Sequence, residues 1–269
     1  MKAGHKSLHR QSGRWISAVM MTVIIFMLFL ISDVSSITAQ AMDFEFVLLT
    51  VREKTMEVGD SFYLTAVTSN GKKPSFSSSD SKIASVNTYG KITAKKPGTV
   101  RITAKIKNGE MSCKITVKKP SVTLNKTKVT LYRNGWVRLK CTVSGKPKIK
   151  WKSSKRSVAS VDEEGTVTAV KHGTAVITVT AAGVSRTCKV IVKQPVITFP
   201  AETVTVKAGE KKKVKASVSS GNIPVYSSSN TGVATVDENG ILTAKKEGRA
   251  YIYAAEDGIK ERMTVFVTK

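Results

Sequence analysis

The chain has 269 residues, with 44 Lys and Arg against 19 Asp and Glu and a formal net charge of +25. That length allows one to three domains. Its three cysteines form no Cys-x-x-Cys and no Cys/His cluster at metal spacing, which excludes a zinc module. Abundant Val, Thr and Ser without a long amphipathic helical pattern exclude a helical bundle and point to strands.

Residues 1–14 carry Lys2, Lys6, Arg10 and Arg14 and no acid; Trp15 to Ser32 comes next without a charge, then a polar run ending Thr38-Ala39-Gln40-Ala41-Met42. A basic start, an apolar core and an Ala-x-Ala site predict a secretory signal, residues 1–41, cleaved after Ala41. The apolar run is also near the length that spans a bilayer, so an uncleaved signal anchor stays open. Both readings export the remainder of the chain, and the membrane is met only through this segment.

Beyond it one stretch occurs three times at a spacing of 75 residues: Ser78 to Ala94, Ser153 to Ala169 and Ser228 to Ala244, with no slip of register. That period is too long for a solenoid unit and long enough for a small domain. The expected units are 46–118, 121–193 and 196–269, joined at Lys118-Lys119-Pro120 and Lys193-Gln194-Pro195. Joints this short predict restricted bending. Within the second unit Val137, Leu139, Cys141 and Val143 alternate with Arg138, Lys140 and Thr142, the period of a half-buried strand. Glycines at 90, 165 and 240, and at 98, 173 and 248, read as hairpin turns. About seven short strands per unit give an all-β chain of three tandem immunoglobulin-like β-sandwich domains.

Several recurring residues have structural readings. Cys113 and Cys188 are 75 apart, with Met263 at the third place, so a buried small apolar side chain is expected there. An intradomain Cys141–Cys188 disulfide stays open, since spacing alone does not settle its geometry. The aromatic position Phe76, Trp151, Tyr226 reads as core. The turn acids Asp162-Glu163 and Asp237-Glu238 stand where the first repeat has Asn87-Thr88, which turn chemistry explains better than calcium, whose six to eight oxygen ligands they do not supply.

The pattern of an aromatic before Ser-Ser, then Val-Ala-x-Val, a Gly turn, Val-Thr-Ala and Gly-Thr-Ala resembles the bacterial immunoglobulin-like domain, group 2. The second repeat carries it as Trp151-Lys152-Ser153-Ser154, Val158-Ala159-Ser160-Val161, Gly165, Val167-Thr168-Ala169 and Gly173-Thr174-Ala175. The resemblance covers 46–269 three times over. It implies a spacer or adhesion module on a bacterial surface or an accessory domain of an exported protein, and brings no ligand motif with it. Attachment is expected through the N-terminal segment or a non-covalent partner.

The inventory supports no catalytic residue, no metal ligand and no cofactor. His5 and His9 fall in the signal, and His172 sits in a turn whose equivalents are Pro97 and Glu247, so no Ser-His-Asp set can form. Two binding candidates lie in the second repeat, the most basic unit, at +13 over 119–193 against +8 over 48–118 and +3 over 194–269. Lys146, Lys148, Lys150 and Lys152 alternate with Pro147, Ile149 and Trp151 and put four ammoniums on one strand face. They serve either to hold an acidic envelope polymer or to guard a sheet edge. Tyr132 and Trp136 flank a turn. They serve either to stack a sugar or, the simpler reading for Trp136, to pack against the third repeat. Partners are thus anionic or neutral glycans, envelope polymers or surface proteins. Nucleic acid is not expected, since export and the lack of a stacking motif argue against it. The protein is expected to be secreted or on the bacterial cell surface.

Overall fold

The computed structural model describes residues 45–269; the signal or anchor, its cleavage site, His5 and His9 lie outside them. The described residues are all-β and form one compact unit with 27 strands, nine to each repeat. In the second repeat a four-stranded sheet runs in the order Lys128–Leu131, Val184–Val192, Gly173–Ala181, Ile149–Ser153. Only the first pairing is parallel; the others in it are antiparallel. A three-stranded sheet, Trp136–Arg138, Thr166–Ala169, Ala159–Val161, packs across from it. A short pair, Val122–Leu124 with Cys141–Val143, closes one end. The first and third repeats repeat this layout.

Nine strands stand where seven are expected because two strands are broken. Between Trp136–Arg138 and Cys141–Val143 the Leu139 N–H donates to the Gly165 carbonyl at 2.9 Å, and the Lys140 N–H donates to Asn125 Oδ1 at 2.9 Å. Both donors are satisfied outside a ladder, so the chain bends there at no cost in unpaired groups. Gly98, Gly173 and Gly248, expected as turns, instead open the long strands Gly98–Ile106, Gly173–Ala181 and Gly248–Glu256.

Alternation fills the core. Ala175, Ile177, Val190 and Leu139 are buried between the sheets, and Cys113, Cys188 and Met263 share one buried place in the three repeats. Burial in apolar surroundings pushes the Cys188 thiol up from its ordinary pKa. All three cysteines are free; Cys141 packs in the end cluster with Val122 and Ile149 rather than pairing with Cys188. Phe76, Trp151 and Tyr226 are half-buried and pack against the three cores, as expected. Gly165 makes room for Trp151: at φ 82°, a Cβ there would stand 2.7 Å from both the indole Cζ2 and the Leu139 carbonyl oxygen.

The recurring Ser-Ser has a structural use. The second serine of each pair donates its N–H to a carbonyl on the neighbouring long strand and accepts that residue's N–H on its Oγ: Ser79 with Arg101, Ser154 with Val176, Ser229 with Tyr251. The turn acids are local caps, as turn chemistry predicts. Asp162 Oδ1 accepts from the N–H groups of Glu164 at 3.0 Å and Thr166 at 2.7 Å, and Asn87 and Asp237 do the same in their repeats. The Thr166 N–H, before other contacts, holds the Asp162 carboxyl below its ordinary pKa.

Candidate functional site

The edge strand Ile149–Ser153 places the lysine row. Ile149 and Trp151 face the core, so Lys150 and Lys152 fall on the outer face, across from Thr180 and Thr178. Lys146 and Lys148 precede the strand, so the expected row of four on one strand is two on the strand and two in the loop before it. All four side chains are exposed, and among the described residues none has a carboxylate within ion-pair distance. The outer positions of the whole four-stranded sheet carry Lys128, Lys189, threonines and Ser185 with Val176 and Ile191, and no acid. On the other side a groove joins Lys148, Lys150 and Arg156 to Trp151, Asp162 and Glu163, so two carboxylates border the row.

Trp136 sits in the strand Trp136–Arg138 opposite Thr168, with Val137 turned inward. It is 67% exposed. The packing of Trp136 against the third repeat is therefore not found. The turn that precedes it does reach the next repeat, but through Arg133, three residues earlier. Asn134 at φ 67° takes the place of Gly59 and Gly209, so the turn has one length in all three repeats and Trp136 stands where they have Ser61 and Lys211. Tyr132 is half-buried, with the Lys193 ammonium 5.8 Å from its ring centroid.

The contact between the second and third repeats is polar and buried. Glu256 and Asp257 are buried carboxylates at the end of the strand Gly248–Glu256 and in the turn after it. Arg133 Nε lies 3.2 Å from Glu256 Oε1, in ion-pair contact without hydrogen-bond alignment. Asn222 Nδ2 donates both to that oxygen and to the Arg133 carbonyl, each at 3.0 Å. Ser220 Oγ donates to Glu256 Oε2. The His172 N–H donates to Asp257 Oδ2 at 2.7 Å. His172 Nδ1 stands 3.0 Å from the Asp257 carbonyl oxygen and 3.1 Å from its carboxylate. Both are acceptors, so Nδ1 carries the proton. His172, which reads in the chain as a variable turn position, is thus a joint residue.

The same place between the first and second repeats is built differently. The Val58 carbonyl, equivalent to that of Arg133, accepts the Lys146 N–H at 2.7 Å. Ala182, equivalent to Asp257, packs against the first repeat's core, and its turn faces Pro97, the equivalent of His172.

The third repeat holds a face that the repeat pattern passed over. On the outer side of its four-stranded sheet, Tyr251, Tyr253 and Phe266 stand where the second repeat has Val176, Thr178 and Ile191. The signal was present as aromatics on the outward parity of a strand.

Among known protein families, the model of the bacterial Ig-like domain (group 2) matches residues 43–117 and 194–265. That of the intimin immunoglobulin-like domain matches residues 136–183. An uncharacterized protein of Clostridium acetobutylicum is 35% identical over 145 residues, 49% of this chain and 15% of that protein, so the chain spans a small part of its curated relative. Among solved structures, the I9–I11 tandem from titin is 11% identical, covering 82% of this chain and 99% of that one at a TM-score of 0.46. Domains 1–6 of the surface layer protein SbsC are 21% identical, covering 82% and 40% at a TM-score of 0.28.

Proposed function

The chain belongs to the bacterial Ig-like domain family, group 2, and from that premise we propose that it is a non-enzymatic adhesion and spacer module, exported to the cell surface or secreted. Its units are 46–118, 121–193 and 196–269, carried behind a signal or anchor at 1–41. The second repeat holds an acidic envelope polymer through Lys146, Lys148, Lys150 and Lys152. The observation that carries this reading is the exposed row of lysines beside a sheet face without a carboxylate. Such a surface attracts polyanions over about a Debye length, roughly 8 Å at physiological salt.

The test is retention of the purified chain on wall and membrane material of the producing cell across a salt series, beside a variant with the four lysines changed to Ser. Retention that falls steeply with salt and with the variant is the expected result. Retention indifferent to both would sink the reading. A second reading is kept because Trp136 is exposed and not spent on a joint: with Tyr132 it stacks a neutral glycan. That binding would survive salt and be lost in Trp136→Ala.

A further inference from the structure

We infer that the outer face of the third repeat's four-stranded sheet is a docking surface for a protein partner that sets carboxylates among apolar side chains. The inference does not rest on the lysine row of the second repeat. Along this face the strand Gly248–Glu256 places Arg249, Tyr251 and Tyr253, and the strand Ile259–Thr268 places Lys260, Arg262 and Phe266 beside them. Alternation fixes the sidedness, since Ala250, Ile252, Met263 and Val265 between them are buried. At the edge, Ile223 and Val225 are 76% and 73% exposed, at the places where the second repeat has Lys148 and Lys150. No outward position on the four strands of this sheet is acidic.

Three observations choose the occupant. Partly exposed aromatics beside Arg and exposed apolar neighbours are the composition of protein interfaces. The ring faces are already engaged: the Lys260 ammonium is 3.8 Å from the Tyr253 centroid, and the Arg262 and Arg249 guanidinium carbons are 4.7 and 5.4 Å from that of Tyr251. A neutral sugar needs a bare aromatic face, whereas cations held on rings are ordered in advance for carboxylates. A second copy of this face would set Arg249, Lys260 and Arg262 against themselves, and like charge opposes that pairing. The partner therefore brings the acids and meets Ile223, Val225 and Phe266 with apolar side chains of its own.

The probe is a random peptide library displayed on phage and panned on the purified full chain. Enriched peptides are expected to mix Asp or Glu with Leu, Phe or Trp. A variant carrying the second repeat's residues, Tyr251→Val, Tyr253→Thr, Lys260→Ser and Arg262→Thr, should weaken them about ten-fold or more. Lys150→Ser with Lys152→Ser should leave them unchanged. Arg262→Glu, a single exposed change, should weaken the same peptides if the four-fold variant does not fold. Three results would overturn the proposal: no enrichment; enriched peptides that bind wild type and Arg262→Glu alike; or polygalacturonate binding that is lost in these variants while no peptide is selected, which would assign the face to an acidic glycan.

Discussion

The two joints between repeats are built at equivalent positions from opposite chemistry. At the first, the Ala182 turn lies against Pro97 and the first repeat's core. At the second, the Asp257 turn is held by His172, and Glu256 behind it by Arg133 and Asn222. One feature is common: the carbonyl of residue 58 or 133 accepts a hydrogen bond from the loop of the next repeat, from Lys146 N–H in one case and Asn222 Nδ2 in the other. The backbone geometry of docking is thus reused, and the side chains decide how much polarity is buried with it. The apolar joint costs no desolvation of charge. The ionic one buries two carboxylates, which is tolerated only while their partners are in place.

Removing a partner breaks the ionic joint most. Arg133→Ala leaves the Glu256 carboxylate, whose side chain is 2% exposed, without its cation. Arg133 itself is 41% exposed, so the full cost of a broken buried pair is discounted to about 2 kcal/mol. Urea unfolding should show it as an earlier transition of the third repeat, and a midpoint equal to wild type would mean the pair contributes nothing. Glu256→Gln should cost less, about 1 kcal/mol, because an amide oxygen still accepts from Asn222 while the attraction to Arg133 is lost.

Next comes a transplant that turns one joint into the other. His172→Pro, which copies Pro97, removes the ring and the N–H that meet Asp257 and should cost about 1 kcal/mol in thermal unfolding. Ala182→Asp places a carboxylate against Pro97 with no partner. Ala182 sits at φ 45°, a conformation Asp tolerates better than Ala, so a small backbone gain opposes the burial cost. A net loss is expected, recovered when Pro97→His is added. A double variant no better than the single one would show that the joints are not interchangeable.

The smallest effect is expected away from both joints, at the turn the repeats share. The Asp162 carboxyl is held below its ordinary pKa by the Thr166 N–H, so its contribution is present above the unfolded-state pKa and fades as pH falls through the folded value. Asp162→Asn keeps the acceptor, as Asn87 does in the first repeat, and should leave neutral-pH stability within error while removing that acid limb. An Asn variant that retains the acid limb would assign it to another group.

The recurring elements were legible in the chain because they are local. A strand's parity is set by a period of two, so Val137 and Leu139 inward and Trp136 outward could be read before any fold was known. The turn caps at Asn87, Asp162 and Asp237 reach only four residues ahead. Cys113, Cys188 and Met263 showed their burial by sharing one place in three repeats. The broken strands were less legible. The bend at Leu139 depends on carbonyls and side chains supplied by Gly165 and Asn125, both distant in sequence.

The repeat, its inward and outward positions and the excess of lysine on the second unit are all written in the order of residues along the chain. Which outward positions stay in water is set only when the repeats fold and dock. Parity says only that Trp136, Arg133 and His172 need not face their own core. Whether another repeat covers them depends on where the poles of two folded units meet. There the turn that holds Asn134 gave the joint to Arg133, as the same turn in the first repeat gives it to Val58, and left Trp136 in solvent.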